Sequence, residues 1–372
     1  MTLDAVRGAL LAGGLGQRMG TLTEGTCKPL VPYAASCRLV DFSLANAVRS
    51  GVPEVVLLSL HREADLVRHL MEHWDAAPGT RLHFGVHERR LRNGGLPAPG
   101  ERLPPRPAER GTADALLANA RHLFAPGARD ILIQHADHVY VHDYAAMLEQ
   151  HRRTGADCTI GVQAVEPRWV RLFGMVETDA DLRVRALVEK PDHPTSDLVF
   201  TAFCLFRADV LRDTLARLAA LGPDGWQHDI SRDVLPAMIG AGRDVRAFPV
   251  ESYWADIGTV ERYHSEQLAL LTVPRPIPAE ALPRTLAAGP PRFAPDGAGL
   301  LGAEPAPGAL VRDSVLHPGC HVRPGAAVVR SVVLPGAVVP TGVTVRDTVV
   351  RAGEHLSADR TGLTALGPAP RA

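Results

Sequence analysis

The sequence is poor in cysteine and carries no surplus of charge of either sign. Its five cysteines are odd in number and are never spaced as C-x-x-C, which argues against a disulfide framework and a zinc site and fits a reduced, cytoplasmic location. The 40 Lys and Arg residues nearly balance the 41 Asp and Glu residues, so the basic excess of a nucleic-acid-binding protein is missing. No apolar run approaches the roughly 20 residues that span a bilayer, and the first residues do not resemble a secretory leader. We therefore expect neither nucleic acid nor a membrane as a partner.

A glycine-rich loop stands out near the N-terminus. The apolar run Val6–Leu11 is typical of a buried parallel strand, and Ala12 leads from it into Gly13, Gly14 and Gly16. Glycine lets the backbone approach a ligand closely, and the exposed N–H groups of such a loop can hold phosphate oxygens. The same residues would also suit an ordinary strand-to-helix turn.

Two cations follow this loop. Arg18 carries a planar fork of donors, and Lys28 precedes the rigid Pro29. Gly-x-Gly-x-x-Gly and Gly-Lys-Ser/Thr are both absent, so neither the dinucleotide fingerprint nor the Walker loop applies. The glycines and the two cations predict a phosphate site of another kind.

Strand-like and helix-like segments alternate in the first part of the chain. This pattern predicts an α/β fold with a doubly wound, Rossmann-like parallel sheet, whose ligands bind beyond the carboxyl ends of the strands. The predicted strands are residues 6–11, 55–60, 81–85, 131–134, 156–165, 173–177, 184–189 and 198–206. The predicted helices are residues 40–49, 64–74, 112–124, 208–221 and 230–240. Residues 88–109 are rich in Pro, Gly and Arg and are interpreted as a long flexible loop.

The C-terminal part changes character. A Pro- and Ala-rich linker is predicted at 272–307, after a catalytic domain at 1–271. Glycine turns then recur at near-hexapeptide spacing among valines, which indicates a short left-handed parallel β-helix at 308–357. Such a coil cannot bury its apolar face alone, so we expect it to pack on the rest of the chain or on another subunit. Residues 358–372 are expected to be disordered.

Several polar residues lie at predicted strand or helix ends. Asp137 follows a strand, and Asp256 supplies a second carboxylate; carboxylate and phosphate oxygens are the ligands that Mg²⁺ prefers. Gly111 precedes a helix for which Thr112 is predicted as the N-cap. His138 is interpreted as a structural histidine.

The sequence contains six motifs whose order and spacing match those of a known protein family. It resembles the sugar-phosphate nucleotidyltransferases, and within them the ADP-glucose pyrophosphorylase (glucose-1-phosphate adenylyltransferase) family. The motifs are GGLGQR at 13–18 with LT at 22–23 and KP at 28–29, RLVDFSLAN at 38–46 with SG at 50–51, RGTADA at 110–115, DHVY at 137–140 with DY at 143–144, EKP at 189–191, and YWADIGT at 253–259.

The resemblance implies an enzyme that converts an NTP and a sugar 1-phosphate into an NDP-sugar and pyrophosphate, with Mg²⁺ as cofactor. No covalent enzyme intermediate is needed, so catalysis would rest on positioning and charge neutralisation. The implied catalytic residues are Arg18, Lys28, Asp137 and Lys190. The implied nucleotide-binding residues are Leu11, Ala12, Gly13, Gly14, Gly16, Gly111, Thr112 and Asp137. The implied sugar-phosphate-binding residues are Gly174, Glu189, Lys190, Thr201 and Asp256, and the implied metal ligands are Asp137 and Asp256. A homo-oligomer, dimer or tetramer, is expected.

The sequence departs from this family in three places. The base-binding region carries VHERR at 86–90 and a proline cluster at 104–107. Phe200, Thr201 and Ala202 stand where a Ser-Met-Gly-like stretch is usual in the sugar pocket. The basic residue of the activator site is absent before Lys28.

These departures leave the substrates open. ADP-glucose synthesis is the first expectation. The alternative is an enzyme of aminocyclitol antibiotic biosynthesis that activates a cyclitol phosphate such as valienol 1-phosphate with GTP or ATP. A non-catalytic regulatory subunit is a third possibility, but the intact glycine loop and aspartates argue against it.

Overall fold

A computed structural model describes residues 3–14, 16–59, 63–103, 109–286, 289–294 and 299–364. The chain divides into two compact units. The first consists of Met1–Gly13, Asn46–His135 and His142–Glu251. The second consists of Gly14–Ala45, Ala136–Val141 and Ser252–Ala372. Within the described ranges, every helix is too short or too polar to cross a lipid bilayer.

The strands before the C-terminal coil are short and lie in both units. In chain order they are β1 (Val6–Leu11), β2 (Pro32–Tyr33), β3 (Cys37–Arg38), β4 (Glu54–Leu58), β5 (Arg81–His83), β6 (Asp130–His135), β7 (His138–Tyr140), β8 (Cys158–Ala164), β9 (Gly174–Thr178), β10 (Val184–Glu189), β11 (Leu198–Arg207), β12 (Val245–Pro249) and β13 (Trp254–Asp256).

The helices alternate with these strands. They are α1 (Leu39–Arg49), α2 (Glu63–His73), α3 (Glu88–Gly94), α4 (Thr112–Ala118), α5 (Ala120–Leu123), α6 (Tyr144–Thr154), α7 (Pro167–Val170), α8 (Ala208–Ala219), α9 (Leu235–Gly240) and α10 (Val260–Ala269). Segments of 3-10 helix lie at Gln17–Thr23, which is kinked at Gly20, and at Lys28–Leu30, Gly85–His87 and Ala279–Ala281, and a π-helical turn lies at Ile230–Val234.

The first unit is built on one mixed sheet. Its order is β10-β9-β11-β6-β1-β4-β5, with β8 on β11 and β12 on β8. The β6-β1-β4-β5 side is parallel, which confirms the predicted parallel core. On the other side β11 runs antiparallel to β6 and β8, which the alternating pattern did not indicate.

The parallel strands of this sheet end together. Leu11 at the end of β1 is the register partner of Leu58 on β4 and of His135 on β6. The glycine loop and Asp137 both follow directly in the chain, so they leave the sheet from its carboxyl edge, where α/β proteins bind ligands. Buried side chains such as Ala9, Val56 and Ile133 form the core around these strands.

The second unit contains two small antiparallel ribbons and the C-terminal coil. β2 pairs with β3, and β13 pairs with β7. The coil strands are β14 (Arg292–Phe293), β15 (Gly299–Leu301), β16 (Leu310–Arg312), β17 (Ser314–Leu316), β18 (His321–Val322), β19 (Ala327–Val329), β20 (Val332–Val333), β21 (Val338–Val339), β22 (Thr344–Arg346), β23 (Val349–Val350) and β24 (Arg360–Thr361).

The coil is a parallel β-helix, as the valine and glycine repeat predicts. Parallel ladders run through β15-β17-β20-β23, through β16-β19-β22-β24 and through β18-β21, and form its three sides. Inside it, Ser314 Oγ accepts a hydrogen bond from Ser331 N, and Ser331 Oγ accepts one from Thr348 N. Stacked side chains of the same type therefore hold successive coils in register.

The β-helix packs against other segments of the second unit. Val315 and Val332 of the coil share an apolar cluster with Tyr33, Phe42 and Tyr263. Gln267 on α10 donates a hydrogen bond to Tyr263 Oη at 2.8 Å, accepts one from Ala34 N at 3.0 Å, and lies 3.3 Å from His317 Nε2. Burial lowers the pKa of His317 to about 3, so the imidazole is neutral in this contact.

Three sequence-based expectations differ from the structure. Residues 88–94, assigned to a loop, form α3, because Glu88 accepts a hydrogen bond from Phe84 N and bonds Arg92 one turn later. The helix expected at 112–124 is broken into α4 and α5 at Asn119, whose side chain donates back to Ala115 O. Helix 230–240 begins with a π-helical turn.

The segment predicted to be a linker, 272–307, and the segment predicted to be disordered, 358–372, both contain β-strands. The stretch interpreted as a linker carries the buried side chains of Ile277 and Leu282, as well as β14 and β15. In the stretch expected to be disordered, β24 pairs with β22. Residues 365–372, Leu15 and the proline cluster at 104–107 lie outside the described residues.

Candidate active site

Gly16 of the glycine-rich loop and the two predicted cations, Arg18 and Lys28, belong to the second unit. Gly16 has φ +67°, and a Cβ atom there would lie 2.9 Å from Thr23 Cγ2 and 3.0 Å from Lys28 Cβ. Thr23 Oγ1 donates to the carbonyl of Gly16, and Met19 N donates to it as well. Gly16 is thus needed both for its left-handed backbone and for the close approach of Lys28. Gly14 has neither feature.

Lys28 is buried among carboxylates. Its side chain is 7% exposed, and its Nζ lies 2.6 Å from Asp137 Oδ2 and 3.8 Å from Asp256 Oδ1. A buried ammonium group needs such partners, because desolvating an unpaired charge is costly. Asp137 and Asp256 therefore both face the ammonium group of Lys28.

A two-stranded ribbon fixes the two aspartates. In the β7–β13 pair, His138 is the register partner of Asp256, and Tyr140 is that of Trp254. Ile257 N donates to Asp137 O at 3.4 Å and continues the ribbon past Asp256. Two residues far apart in sequence are thereby held side by side by backbone pairing.

His138 lies between the aspartates. Its Nε2 is 3.6 Å from Asp137 Oδ1 and 3.9 Å from Asp256 Oδ1. Its Nδ1 accepts a hydrogen bond from the indole N–H of Trp254 at 3.0 Å. The sequence-based interpretation of His138 as a structural histidine did not include its nearness to the two aspartates. The contact with Trp254 that orients the ring spans 116 residues of sequence.

Arg18 reaches the same cluster next to Gly258. A Cβ atom at position 258 would lie 3.4 Å from Arg18 Nη2 and 3.5 Å from Asp256 Oδ2. Both groups thus lie at ordinary van der Waals distance from this position, and Gly258 belongs to the YWADIGT motif at 253–259. Arg18, Lys28, Asp137 and Asp256 therefore share one region of the second unit, as the sequence predicts.

The predicted base-binding segment lies in the first unit and is tied to residues 228–230. A Cβ at Gly111 would lie 2.3 Å from His228 O, so no other residue fits. Thr112 is not the N-cap predicted for α4; that position is Gly111. Thr112 Oγ1 instead accepts from Ile230 N at 2.9 Å and bonds Asp229 Oδ2 at 3.1 Å.

His228 holds this segment from the other side. Its Nδ1 lies 2.7 Å from Asp114 Oδ1 and its Nε2 lies 2.7 Å from Pro223 O. Both partners are acceptors, so both ring nitrogens donate and the ring is favoured in its charged form. The Pro223 carbonyl, followed by Asp114, raises the pKa of His228.

Three of the five predicted sugar-phosphate residues, Gly174, Glu189 and Lys190, meet at the β9–β10 pair of the first unit, whereas Thr201 lies on β11 and Asp256 lies on β13 of the second unit. Gly174 and Glu189 are register partners, and a Cβ at Gly174 would lie 3.2 Å from Glu189 Oε2. Lys190 has φ +51°, its side chain is 47% exposed, and its Nζ lies 3.1 Å from Glu189 Oε1. An exposed ammonium group beside a carboxylate is suited to bind a phosphorylated hydroxyl compound.

The segment that departs from the family forms a bulge in β11. The register against β8 shifts between Phe200 and Cys204, and Ala202 has φ +61°. Thr201 is 1% exposed and lies against Gly161, where a Cβ would be 2.4 Å from Thr201 Oγ1. Its role in sugar binding stays a prediction. The predicted loop residues Leu11 and Ala12 are also buried, at the end of β1.

The second-unit cluster has the composition of a site for polyphosphate chemistry. Two side-chain cations face the negative charge of a phosphate chain, and two carboxylates supply the oxygen atoms that a divalent cation prefers. Both carboxylates face the same ammonium group, that of Lys28.

The sequence of this chain matches those of known proteins. The Nucleotidyl transferase family model matches residues 7–273. A valienol-1-phosphate guanylyltransferase of Streptomyces hygroscopicus subsp. limoneus is 47% identical over 333 residues, which are 86% of this chain and 88% of that protein.

Glucose-1-phosphate adenylyltransferases match less closely. That of Thermomicrobium roseum is 36% identical over 70% of this chain and 59% of its own length. That of Pseudothermotoga lettingae is 33% identical over 84% of this chain and 70% of its own length. Together with the family model, these matches show that the chain belongs to the nucleotidyl transferase family and is a sugar-phosphate nucleotidyltransferase.

Proposed function

We propose that the protein is a guanylyltransferase that joins GTP to a cyclitol 1-phosphate, of which valienol 1-phosphate is the first candidate. The observation that carries the proposal is the 47% identity to a valienol-1-phosphate guanylyltransferase over 86% of the chain. The adenylyltransferases reach 36% and 33%. ADP-glucose synthesis, the first expectation from the motifs, is therefore the less well supported substrate pair.

The departures from the adenylyltransferase pattern support the same choice. The bulge at Phe200–Ala202 places a buried aromatic residue and a buried threonine where the family has a hydroxyl-bearing stretch. A site that does not hydrogen-bond a particular hydroxyl loses discrimination against compounds that lack it. A cyclitol, which differs from glucose in its ring oxygen and hydroxyls, is consistent with such a pocket.

The proposed reaction is a direct displacement. A phosphate oxygen of the cyclitol 1-phosphate attacks the α-phosphorus of GTP, the bond to the bridging oxygen breaks, and pyrophosphate leaves with the electron pair. Arg18 and Lys28 bind the departing phosphates, and Lys190 binds the incoming phosphate. Gly111 and Thr112 contact the nucleoside, whereas Gly174, Glu189 and Thr201 form the cyclitol pocket.

Asp137 and Asp256 are proposed to hold Mg²⁺. The two carboxylates both lie within 4 Å of the Lys28 ammonium nitrogen and supply the oxygen donors that this ion prefers. When bound, Mg²⁺ would neutralise charge on the phosphates. The loop residues Leu11, Ala12, Gly13, Gly14 and Gly16 carry the backbone that faces the triphosphate in this proposal.

A substrate matrix tests the proposal. The purified chain is incubated with Mg²⁺ and pyrophosphatase, and GTP, ATP, UTP, CTP and dTTP are each offered with valienol 1-phosphate and with glucose 1-phosphate. We expect the highest kcat/KM for GTP with the cyclitol phosphate. A higher kcat/KM for ATP with glucose 1-phosphate would overturn the proposed substrates, and the same matrix without sugar phosphate is the control.

A further inference from the structure

We propose that His138 is a positioning residue that orients Asp137 and Asp256 for a divalent cation, and that Trp254 selects the tautomer in which it does so. The inference rests on the proposed function, because it concerns the same two carboxylates. It assigns His138 a hydrogen-bonding role toward them, in place of a role in packing alone.

The contact with Trp254 determines where the imidazole proton lies. An indole N–H can only donate, so His138 Nδ1, at 3.0 Å, has to accept. A proton on Nδ1 would set two donors against each other, which disfavours the other neutral tautomer. The remaining proton is therefore on Nε2.

The protonated Nε2 is the nitrogen that faces the carboxylates. It lies 3.6 Å from Asp137 Oδ1 and 3.9 Å from Asp256 Oδ1, whereas Lys28 Nζ approaches Asp137 through Oδ2. One donor is thus nearly equidistant from two carboxylates on neighbouring strands. Both distances are longer than a direct hydrogen bond. The proposed N–H···O interaction is therefore one that a bridging water or a small side-chain rotation completes when the cation binds, and it would limit the rotation of both carboxylates.

In the tautomer that the Trp254 contact favours, His138 Nε2 offers a metal ion no lone pair. A ligating nitrogen must offer a lone pair, and here that lone pair is on Nδ1 and is directed to Trp254. His138 is therefore placed to act through the aspartates, in the way that hydrogen-bonding partners of metal ligands act in general.

The rigidity of the pair supports this role. His138 is 8% and Trp254 is 7% exposed, and their ring centroids lie 5.4 Å apart. Both belong to the β7–β13 ribbon that carries the aspartates. The hydrogen bond, the ribbon and the carboxylates consequently form one unit of local structure.

Two measurements on the full chain test the inference without using activity. Nitrogen-15 NMR of the imidazole rings, with His138→Gln to assign the signal, should show a bare Nδ1 and a protonated Nε2 at His138. Titration with Mn²⁺ alone, followed by electron paramagnetic resonance, should give about 10- to 100-fold weaker binding for His138→Leu. Gln, whose amide can donate near the position of Nε2, should restore most of the affinity.

Trp254→Phe keeps an aromatic side chain but removes the indole N–H donor, so both neutral tautomers of His138 should be populated. It should weaken Mn²⁺ binding less than His138→Leu does. Trp169→Phe, at an exposed tryptophan, is the matched control and should change neither signal. A proton on Nδ1 in the wild type, or wild-type Mn²⁺ affinity in a folded His138→Leu, would overturn the inference. Absence of Mn²⁺ binding in the wild type would overturn it as well.

Should His138→Leu not fold, the Gln and Trp254→Phe variants and the wild-type tautomer still decide the matter. The substrate matrix is read separately on the wild type. A failed substrate matrix with the expected tautomer and Mn²⁺ results refutes the proposed reaction alone, whereas turnover with unaltered Mn²⁺ affinity in the variants refutes only the role of His138.

Discussion

Lys28 and Asp137 are 109 residues apart in sequence, yet their Nζ and Oδ2 atoms lie 2.6 Å apart. Asp256 extends the contact to a third segment of the chain. A cation and two carboxylates that meet in this way are held by three separate backbone segments of one unit. The first prediction follows from this pair.

Lys28→Gln should lower kcat by at least about 100-fold, because a neutral amide cannot balance the charge that develops on the leaving pyrophosphate. Steady-state kinetics measure the loss, and the KM for pyrophosphate in the reverse direction should rise. Lys28→Arg should not restore full activity, since the Lys28 side chain is 7% exposed with its ammonium group 2.6 Å from Asp137 Oδ2, and a planar guanidinium group is not equivalent to that compact cation. A variant with Gln that keeps near-normal turnover would remove Lys28 from the proposed role.

Gly16→Ala should cost about 1–2 kcal/mol in the free energy of unfolding for the left-handed backbone alone. Its Cβ would also press on Thr23 and on Lys28 Cβ, so kcat should fall by more than the loss of stability explains. Chemical denaturation and kinetics on the same preparation separate the two effects. Gly25→Ala, whose Cβ would meet open space, is the control and should change neither.

Stability should depend on pH through His228. Its raised pKa means that its contribution to folding is complete below the pKa of the unfolded chain, about 6.5, and is lost as pH rises through the higher folded value. The thermal midpoint measured from about pH 6 to about pH 9 should therefore fall more for the wild type than for His228→Gln. Equal slopes for the two proteins would show that the contacts with Asp114 and Pro223 do not stabilise the charged ring.

Gln267→Leu should destabilise the second unit by about 1–3 kcal/mol, because Ala34 N loses its buried acceptor. Urea unfolding monitors the change. Gln227→Leu replaces an exposed glutamine and should stay within about 0.5 kcal/mol of the wild type. If the two variants were equally stable, the hydrogen bonds between α10 and its neighbours would contribute little.

The parts of the structure that local sequence determines could be predicted. Val6–Leu11 and Val184–Glu189 form strands with the predicted bounds, and the valine and glycine repeat gives the β-helix. The order of motifs also predicts that Arg18, Lys28, Asp137 and Asp256 come together. The strands and the β-helix follow from runs or repeats of a few residues, whereas the meeting of these four side chains follows from the resemblance of the ordered motifs to a known family.

Features that depend on distant partners could not be predicted in the same way. The antiparallel pairing of β11 is a matter of topology, which alternation of strands and helices leaves open. Thr112 bonds Ile230 N, 118 residues away, and this contact replaces the expected cap. The role proposed for His138 depends on Trp254, 116 residues away in sequence.

The central claim is that the cluster around Lys28 and Asp137 is where nucleotidyl transfer takes place. Asp137→Asn tests it most directly, because the amide keeps the size of the side chain and removes the charge that faces Lys28 and the proposed Mg²⁺. Asp213→Asn, on the exposed side of α8, is the matched control. With both variants folded, the account predicts a loss in kcat of at least about 100-fold for Asp137→Asn and unchanged turnover for Asp213→Asn; near-wild-type turnover of Asp137→Asn would contradict it.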